Sequence, residues 1–218
     1  MSEMEWLEVG RGVANTTPNS IVDIFLTLDG PPICPNMTDA EFRRTVLSLR
    51  DRAVQMIHGR LDDLERWGVL ERKRVAAWFG SDIEVNRQHL LRGLTALNRV
   101  MRDLGPMNFV RRSPEIDRYL GCLPNNKHPD GVVAHVCSPD TATHTISIHP
   151  NFCEMRAVSS TKDSMFSTLI HECTHFADTF GSKDHRYTMR ECLMFARTHP
   201  HLAIENADSL VGYVIYDD

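Results

Sequence analysis

The sequence lacks features that would place it in several other classes of protein. No stretch approaches the ~18 consecutive apolar residues that a membrane-spanning helix requires, and residues 1–19 hold no apolar run typical of a secretory signal peptide. Lys and Arg total 24 against 29 Asp and Glu, a formal net charge of -5, so there is no cation excess to neutralise a phosphate backbone. We expect no membrane span and no nucleic-acid partner. We also expect a protein made in the cytoplasm that, if it is exported, is secreted by a leaderless route.

Closely spaced cysteine pairs are also absent. None of the six cysteines shows CxxC spacing, so a thiolate zinc cluster is not expected. An even number of cysteines permits disulfides, but their density is far below that of small disulfide-framework proteins, and the sequence leaves their redox state open. They are Cys34, Cys122, Cys137, Cys153, Cys173 and Cys192.

The first half of the chain predicts helices. From Thr38, a candidate N-cap, apolar residues recur at spacings of three and four, which predicts a helix over about 39–67. Ser81 and Glu84 have the spacing of a capping box, which predicts the start of a second long helix. We therefore expect a helical N-terminal region, residues 1–105, that packs on or extends the domain that follows.

The sequence changes character after Pro106. Two β-branched segments, 131–137 and 144–149, are separated by turn-forming residues and predict two strands of a small antiparallel sheet. Further helices are expected from Ser160 or Thr161 through Phe180, over about 187–198 and over about 201–215. At 218 residues and 42% hydrophobic, the chain is long enough for a well-buried core, and its predicted fold class is α+β, mostly helical, with residues 106–218 as the second domain.

The predicted helix before Phe180 carries the motif HExxH, as His171-Glu172-Cys173-Thr174-His175. Two histidines four residues apart project from the same face of a helix, so both can bind one Zn²⁺ at ~2.0–2.1 Å. Glu172 is placed so that its carboxylate can reach a water held by the metal without binding the metal itself, which is the position a general base needs. Chance gives such a motif in about one chain of this size per hundred, and its setting on an apolar helix favours the zinc interpretation.

The identity of the third ligand separates the classes of zinc peptidase. A metzincin would hold Gly three residues and His six residues after the second motif histidine, but Asp178 and Gly181 occupy those positions, which excludes that class. A Glu on a following helix would indicate the thermolysin type. Glu191 is the nearby candidate, although sixteen residues from His175 is a short connection for that geometry.

Asp184 is the other candidate for the third ligand. Gly181, just past the predicted helix, allows a left-handed turn that reverses the chain and can bring Asp184 back to the metal. His185, its neighbour, competes for the same position. Three more histidines in the strand region are expected to be surface or hydrogen-bonded residues rather than ligands: His135, His144 and His149.

The loop after the motif resembles that of a known family. It reads Gly181-Ser182-Lys183-Asp184-His185-Arg186-Tyr187-Thr188 and is similar to the Gly-Thr-x-Asp-x-x-Tyr-Gly loop that follows HExxH in the aspzincins, the deuterolysin and lysine-specific metalloendopeptidase family. Ser182 stands where Thr is usual, and Thr188 where Gly is usual. The resemblance covers roughly residues 107–218. It implies a zincin-like catalytic domain, Asp184 as the third zinc ligand, and Tyr187 as the phenol that donates a hydrogen bond to the tetrahedral oxyanion.

The segment Asn206-Ala207-Asp208-Ser209 resembles an element of the last helix of the same family. In its lysine-specific members, an acidic residue near the end of the domain lines the pocket for the basic side chain of the substrate. Asp208 is the matching position, so the resemblance implies that Asp208 binds substrate.

The sequence therefore predicts a zinc metalloendopeptidase with one catalytic Zn²⁺ and a peptide or protein substrate. Two alternatives remain open: a zinc amidase acting on a non-protein amide such as cell-wall peptide, and a metal-stabilised binding module without catalysis. Bacterial members of the wider family act as toxins delivered by specialised secretion systems. The resemblance thus also implies a toxin or effector role, with a secretion-system component or an inhibitor or immunity protein as a partner.

Overall fold

The computed structural model describes residues 11–13, 25–27, 31–122 and 131–216. Most of residues 1–19, for which no signal peptide is expected, lie outside the described residues. Strands β1 (Arg11–Val13) and β2 (Phe25–Thr27) form an antiparallel pair within a first compact unit, Met1–Pro32. The second unit is Ile33–Asp218, and none of the described helices combines the length and apolarity needed to cross a bilayer.

The second unit is mainly helical, with one small sheet of three strands among its described residues. In chain order, its elements are α1 (Asp39–Arg66), α2 (Val69–Phe79), α3 (Glu84–Asp103), a 3-10 turn (Pro106–Asn108), β3 (Phe109–Arg111), α4 (Pro114–Tyr119), β4 (Ala134–Val136), β5 (Ile146–Ile148), α5 (Pro150–Cys153), α6 (Met165–Thr174), α7 (Met189–Thr198), α8 (Pro200–Ala203) and α9 (Ala207–Ile215). The predicted α+β class is confirmed.

Helix α1 begins where the sequence predicts. Thr38 Oγ1 accepts a hydrogen bond from the Glu41 amide at 3.2 Å, and Glu41 Oε2 accepts from the Thr38 amide at 2.9 Å, which completes a capping box. The capping box predicted at Ser81 is wrong, because α3 has Ile83 as its N-cap and Ser81 instead accepts from the Asn86 side chain. Helix α2, which the sequence did not predict, starts only three residues after α1 ends.

Helix α9 is the central helix of this unit. Almost every residue from Ala207 to Ile215 is buried, and the helix packs against α1, α2, α6 and α7. Its contact with α2 depends on Gly212, because a Cβ there would lie 2.1 Å from the Trp78 ring. The predicted boundary at residue 105 remains a prediction, and α1 to α3 lie in the same unit as α6 and α9.

The sheet has the strand order β3-β5-β4 and is mixed. The two predicted strands pair antiparallel, with His135 opposite Ser147, as expected. The third strand, β3, pairs parallel to β5, so the purely antiparallel sheet predicted from the sequence is corrected. Three residues are too few to give a periodic pattern, which is why the sequence did not reveal β3.

The structure contains two disulfides, whereas the sequence left the redox state of the six cysteines open. Cys34 is bonded to Cys153, and Cys122 is bonded to Cys137. The first ties the segment before α1 to α5, and the second joins the end of α4 to the end of β4. Cys173 and Cys192 are free thiols inside the core.

Candidate metal centre

Helix α6 carries the HExxH motif at its C-terminal end. The helix starts later than predicted, because Ser164 rather than Ser160 or Thr161 is its N-cap and accepts from the Ser167 amide at 3.1 Å. It also ends earlier than predicted, at Thr174 instead of Phe180. Almost all of its residues are buried, so the helix is a core element that holds the motif in a fixed position.

A turn returns the chain to this helix. The Thr179 hydroxyl donates to the carbonyl of Cys173 at 2.8 Å and blocks continuation of the helix. Gly181 adopts a φ of 56°, the left-handed conformation that the sequence predicted, and the Ser182 amide then donates to Thr174 O at 3.0 Å. The loop that follows is thereby brought beside the two motif histidines.

Three predicted metal ligands meet at one point. His171 Nε2 and His175 Nε2 lie 3.1 Å apart, and Asp184 Oδ1 lies 3.2 Å from the first and 3.4 Å from the second. Among the described residues, these three form the group of His, Cys, Asp and Glu side chains whose ligand atoms are close enough to share a metal ion. Both histidines are mostly buried, whereas Asp184 is 39% exposed, so the point opens to solvent on the side of Asp184.

The hydrogen bonds behind the histidines fix their tautomers. His171 Nδ1 lies 2.6 Å from Asp208 Oδ1, and His175 Nδ1 lies 2.9 Å from the carbonyl oxygen of Ser182. Carboxylate and carbonyl oxygens only accept, so each Nδ1 is the donor and each Nε2 faces the shared point, where it can carry a proton or direct its lone pair at a metal ion. Outer partners of this kind orient histidines that bind metals.

The donor set fits zinc. Two ligand atoms bound at ~2.0–2.1 Å to one tetrahedral zinc lie about 3.3–3.4 Å apart, and the three distances between ligand atoms are 3.1, 3.2 and 3.4 Å. Two imidazole nitrogens and one carboxylate oxygen form a usual set for a catalytic zinc, with one position left for water or substrate. Two lone pairs facing each other at 3.1 Å repel unless a proton or a cation lies between them.

The electrostatics of the group also favour a cation. Burial alone would raise the pKa of Asp184, but its hydrogen bonds to His171 and His175 outweigh burial and hold that pKa below its ordinary range. Burial would lower the pKa of His171, but Asp184 and Asp208 raise it well above its ordinary value. The carboxylates therefore stabilise positive charge at this point, which a proton or a divalent metal can supply.

The two predicted catalytic residues flank the group. Glu172 is 6% exposed, and burial raises the pKa of its carboxyl, against the opposing effect of the positive charges on His171 and His175. Tyr187 is half exposed, with its ring stacked at 6.4 Å from the His171 ring. Burial and the negative charge of Asp184 raise the pKa of Tyr187 to about 12, so its phenol keeps its proton.

Asp208, the predicted substrate-binding residue, lies behind the metal group rather than free in a pocket. Its Oδ1 accepts from His171, and its Oδ2 accepts from the Thr188 amide at 3.0 Å. Both oxygens are engaged, and the side chain is 14% exposed. Within the structure, Asp208 orients His171 and fixes the end of the Asp184 loop.

Asn206 holds the same loop from the other side. Its Oδ1 accepts from the amides of His185 and Arg186, both at 2.9 Å, and its Nδ2 donates to the Arg186 carbonyl at 3.1 Å. A parallel bridge between Lys183 and Asn206 adds backbone bonds of 2.8 Å, from Lys183 N to Glu205 O, and 3.0 Å, from Ala207 N to Lys183 O. Sequence reasoning noted the Asn-Ala-Asp element only as a resemblance and missed these anchoring contacts, which join residues about twenty apart.

The two alternative third ligands are placed elsewhere. The ring of His185 tilts over Phe195 at 6.1 Å, and Glu191 lies on α7, where its amide donates to Thr188 Oγ1. Neither belongs to the group that can share a metal ion.

The three histidines of the strand region, His135, His144 and His149, are hydrogen-bonded, as expected. His135 contacts Asp117 at 2.9 Å through Nε2 and His149 at 2.8 Å through Nδ1. His144 lies 3.1 Å from Asp178, which also pairs with Arg99 at 3.0 Å.

Comparison with known proteins matches this chain to one family. The aspzincin family model, described as lysine-specific metallo-endopeptidase, matches residues 69–215, so the similarity begins well before the position 107 expected from the motifs. A peptidyl-Lys metalloendopeptidase from Pleurotus ostreatus is 47% identical over 47 residues, which cover 22% of this chain and 28% of that protein. The chain thus matches little more than a quarter of the length of this curated relative. A solved zinc peptidase from Grifola frondosa has a TM-score of 0.61 at 20% identity, over 80% of this chain and 94% of that one, and indicates a shared fold.

Proposed function

The chain belongs to the aspzincin family, and from this premise we propose that it is a zinc metalloendopeptidase that hydrolyses peptide bonds. The observation that carries the proposal is the convergence of His171, His175 and Asp184 beside the buried carboxylate of Glu172. His171, His175 and Asp184 would hold a single zinc ion. When bound, the ion supplies Lewis acidity, which polarises a carbonyl and lowers the pKa of water towards ~7.

The side chains around this point supply the rest of the chemistry. Glu172 takes a proton from the attacking water and passes it to the nitrogen of the leaving amine, so the C–N bond breaks without expelling an amide anion. Tyr187 keeps its proton and donates a hydrogen bond to the oxygen of the former carbonyl as negative charge develops there. Asp208 and Ser182 hold the two histidines in the orientation that this requires.

The proposal is tested with Glu172→Ala, His171→Ala and Asp184→Ala, assayed on a denatured protein mixture with the cut sites identified by mass spectrometry. Glu172→Ala should retain zinc, measured by atomic absorption, and lose at least a hundredfold in turnover because it removes the general base. His171→Ala and Asp184→Ala should instead lose zinc. Full activity of Glu172→Ala with stoichiometric zinc would refute the assignment.

The same assay, with cell-wall peptide added as a second substrate, separates the two alternatives. A zinc amidase would leave the protein mixture intact and cleave cell-wall peptide, with the same loss of turnover in Glu172→Ala. A binding module with a structural metal would cleave neither. A buried Glu172 beside a point open to solvent favours catalysis, because a structural site has no use for a base.

We also propose that the protein is exported. Two disulfides favour maturation in an oxidising compartment, since cytosolic thiols are kept reduced. A toxin or effector role, with delivery by a specialised secretion system and an inhibitor or immunity protein as partner, rests on the family resemblance and remains a prediction. Measuring the protein in culture medium and in lysate, with free thiols alkylated at harvest, tests export.

A further inference from the structure

An open groove borders the loop that carries Asp184 and Tyr187. Its volume is about 540 Å³, and it is lined by Arg186 of the loop and by side chains of α7 and its C-cap, among them Arg190, Phe195 and His199. A volume of this size accommodates one or two amino-acid side chains. The mechanism proposed above uses none of these residues.

Arg186 is held in place before any ligand arrives. Its amide and its carbonyl are both bonded to the buried side chain of Asn206, and its Nη1 donates to the His185 carbonyl at 2.6 Å. Its guanidinium lies 5.1 Å from the centre of the Phe195 ring. A pre-ordered guanidinium loses little conformational entropy when it binds an anion.

The floor of the groove is apolar and aromatic. Phe195 is 6% exposed, and the His199 ring stacks on it at 5.1 Å with an interplanar angle of 22°. Met194, also in the lining, is 59% exposed, which is high for a large apolar side chain. The exposed apolar surface of the groove is therefore that of Met194, beside a charged rim.

The charges of the rim favour an anion. Arg186 and Arg190 are exposed, and the positive end of the α7 dipole lies at Thr188 between them in sequence. Glu191 is the acidic side chain of the lining. With His199 neutral, the lining carries a net charge of +1, in a protein whose formal net charge is -5.

The groove and the metal group share one loop. Tyr187 lies near His171, with 6.4 Å between the ring centres, whereas the guanidinium of the adjacent Arg186 lies over Phe195. An extended peptide advances ~3.3 Å per residue, so a substrate of a few residues held at the metal group can pass the loop and reach the groove.

We propose that this groove binds an acidic side chain of the substrate, with an apolar neighbour of that residue against Met194. The inference rests on the proposed peptidase function and adds a substrate class to it: peptides with an Asp or Glu a few residues from the bond that is cleaved.

The test uses the zinc-loaded protein and quenched fluorescent peptides. Each peptide carries one Asp at a different position flanking the cleaved bond, and a control peptide carries Asn at the same position. At one or two adjacent positions, Asp should lower KM about two- to fivefold relative to Asn, with kcat changed less than twofold, because a partly exposed ion pair contributes to binding and not to chemistry. The preference should shrink in 0.5 M salt.

The double variant Arg186→Gln and Arg190→Gln should abolish the preference and leave KM for the Asn peptides within twofold. Arg197→Gln, an exposed arginine of α7 outside the groove, is the matched control and should keep the preference. Arg190→Gln alone should reduce the preference for Asp. Because this substitution leaves the loop unchanged, it tests the inference even if Arg186→Gln disturbs the loop.

Cleavage with no Asp preference at any position, or a preference that survives the double variant, would overturn the inference and leave the peptidase proposal intact. Absence of cleavage of every peptide and of the protein mixture would instead refute the peptidase proposal. In that case, the inference is tested by binding alone, from the dissociation constants of the Asp and Asn peptides for the zinc-loaded Glu172→Gln variant. Tighter binding of the Asp peptides would support the inference, and equal affinities would reject it.

Discussion

Asp208 Oδ1 lies 2.6 Å from His171 Nδ1, and this carboxylate comes from a helix that begins 36 residues after the histidine. The contact makes the first motif histidine dependent on the central helix of the fold. A carboxylate in this position fixes the ring and raises the basicity of the nitrogen that faces the metal.

Asp208→Asn tests whether this contact serves metal binding. We expect zinc affinity to fall about 10- to 100-fold, because an amide replaces the carboxylate while the side-chain shape and an acceptor for the Thr188 amide remain. Competition with a chromophoric chelator measures the affinity.

The same variant tests the substrate-binding role expected from the family resemblance. If Asp208 contacts a basic substrate side chain, KM for Lys peptides should rise relative to matched Gln peptides at saturating zinc. If it acts only through His171, both peptide series should change alike. Unchanged zinc affinity would contradict the orienting role.

Thr188 occupies a strained backbone position. Its φ of 65° is disfavoured for a β-branched residue, and it stands where the family loop usually has Gly. Thr188→Gly should stabilise the protein by about 1 kcal/mol, since the relieved strain of about 1–3 kcal/mol exceeds the loss of a weak cap whose hydrogen bond is 3.5 Å long. Urea unfolding measures the change.

Thr188→Ala is the matched control, because it keeps the strain and removes the cap. It should be less stable than wild type by about 1 kcal/mol. Equal stability of the Gly and Ala variants would show that the backbone at this residue is not strained.

We expect the free energy of unfolding to fall in mild acid because of His149. Burial, with the positive charges of His135 and Arg112, lowers the pKa of His149 from 6.5 to about 4, against the opposing charge of Asp117. A lowered folded-state pKa means that the unfolded chain binds the proton first, so stability is lost as pH falls from about 6.5 towards 4. We expect His149→Gln to remove about 1–2 kcal/mol of the stability difference between pH 7 and pH 5.

The measurement is urea unfolding of both proteins at the two pH values. His58→Gln, which replaces an exposed histidine of α1, is the control for the loss of an imidazole. A wild-type difference that persists in His149→Gln would assign the acid sensitivity to another group.

The two disulfides should contribute unequally to stability. Cys34–Cys153 closes a separation of 119 residues and Cys122–Cys137 one of 15, which the chain-entropy model converts to about 5 and about 3 kcal/mol. We expect the double variant Cys34→Ser and Cys153→Ser to lose more stability than Cys122→Ser and Cys137→Ser.

Urea unfolding gives the two losses, and thiol titration of the unfolded protein gives the disulfide count. Oxidised wild type should show the two thiols of Cys173 and Cys192. Six reactive thiols would contradict both bonds.

The features that the sequence predicted are local ones. The N-cap at Thr38, the apolar spacing of α1 and the four-residue spacing of His171 and His175 each depend on residues within about one or two helical turns. The reversal at Gly181 is local as well, because it depends on the one residue type that accepts a left-handed backbone.

The features that it missed depend on residues far apart. The Asp208 contact with His171, the Asn206 anchor and the disulfide pairing all join positions that no spacing rule connects. Helix α2 was missed because its buried face includes the charged Glu71 while Val69 and Leu70 are exposed, so its apolar residues alone do not mark one face. The end of α6 was misplaced because the Thr179 hydroxyl competes for the helix carbonyls. The choice of Asp184 over Glu191 came from the family loop and not from periodicity.

The bridge between Lys183 and Asn206 has a consequence for how such a chain can vary. The bridge holds together the two ends of the segment 184–205, which contains α7 and α8. This segment is therefore a long loop whose two ends lie side by side. Insertions or deletions in the middle of this segment need not move its paired ends, beside which Asp184 and Asp208 are held. In this architecture, the surface that would select substrates can be lengthened, shortened or exchanged between proteins while the metal centre stays constant.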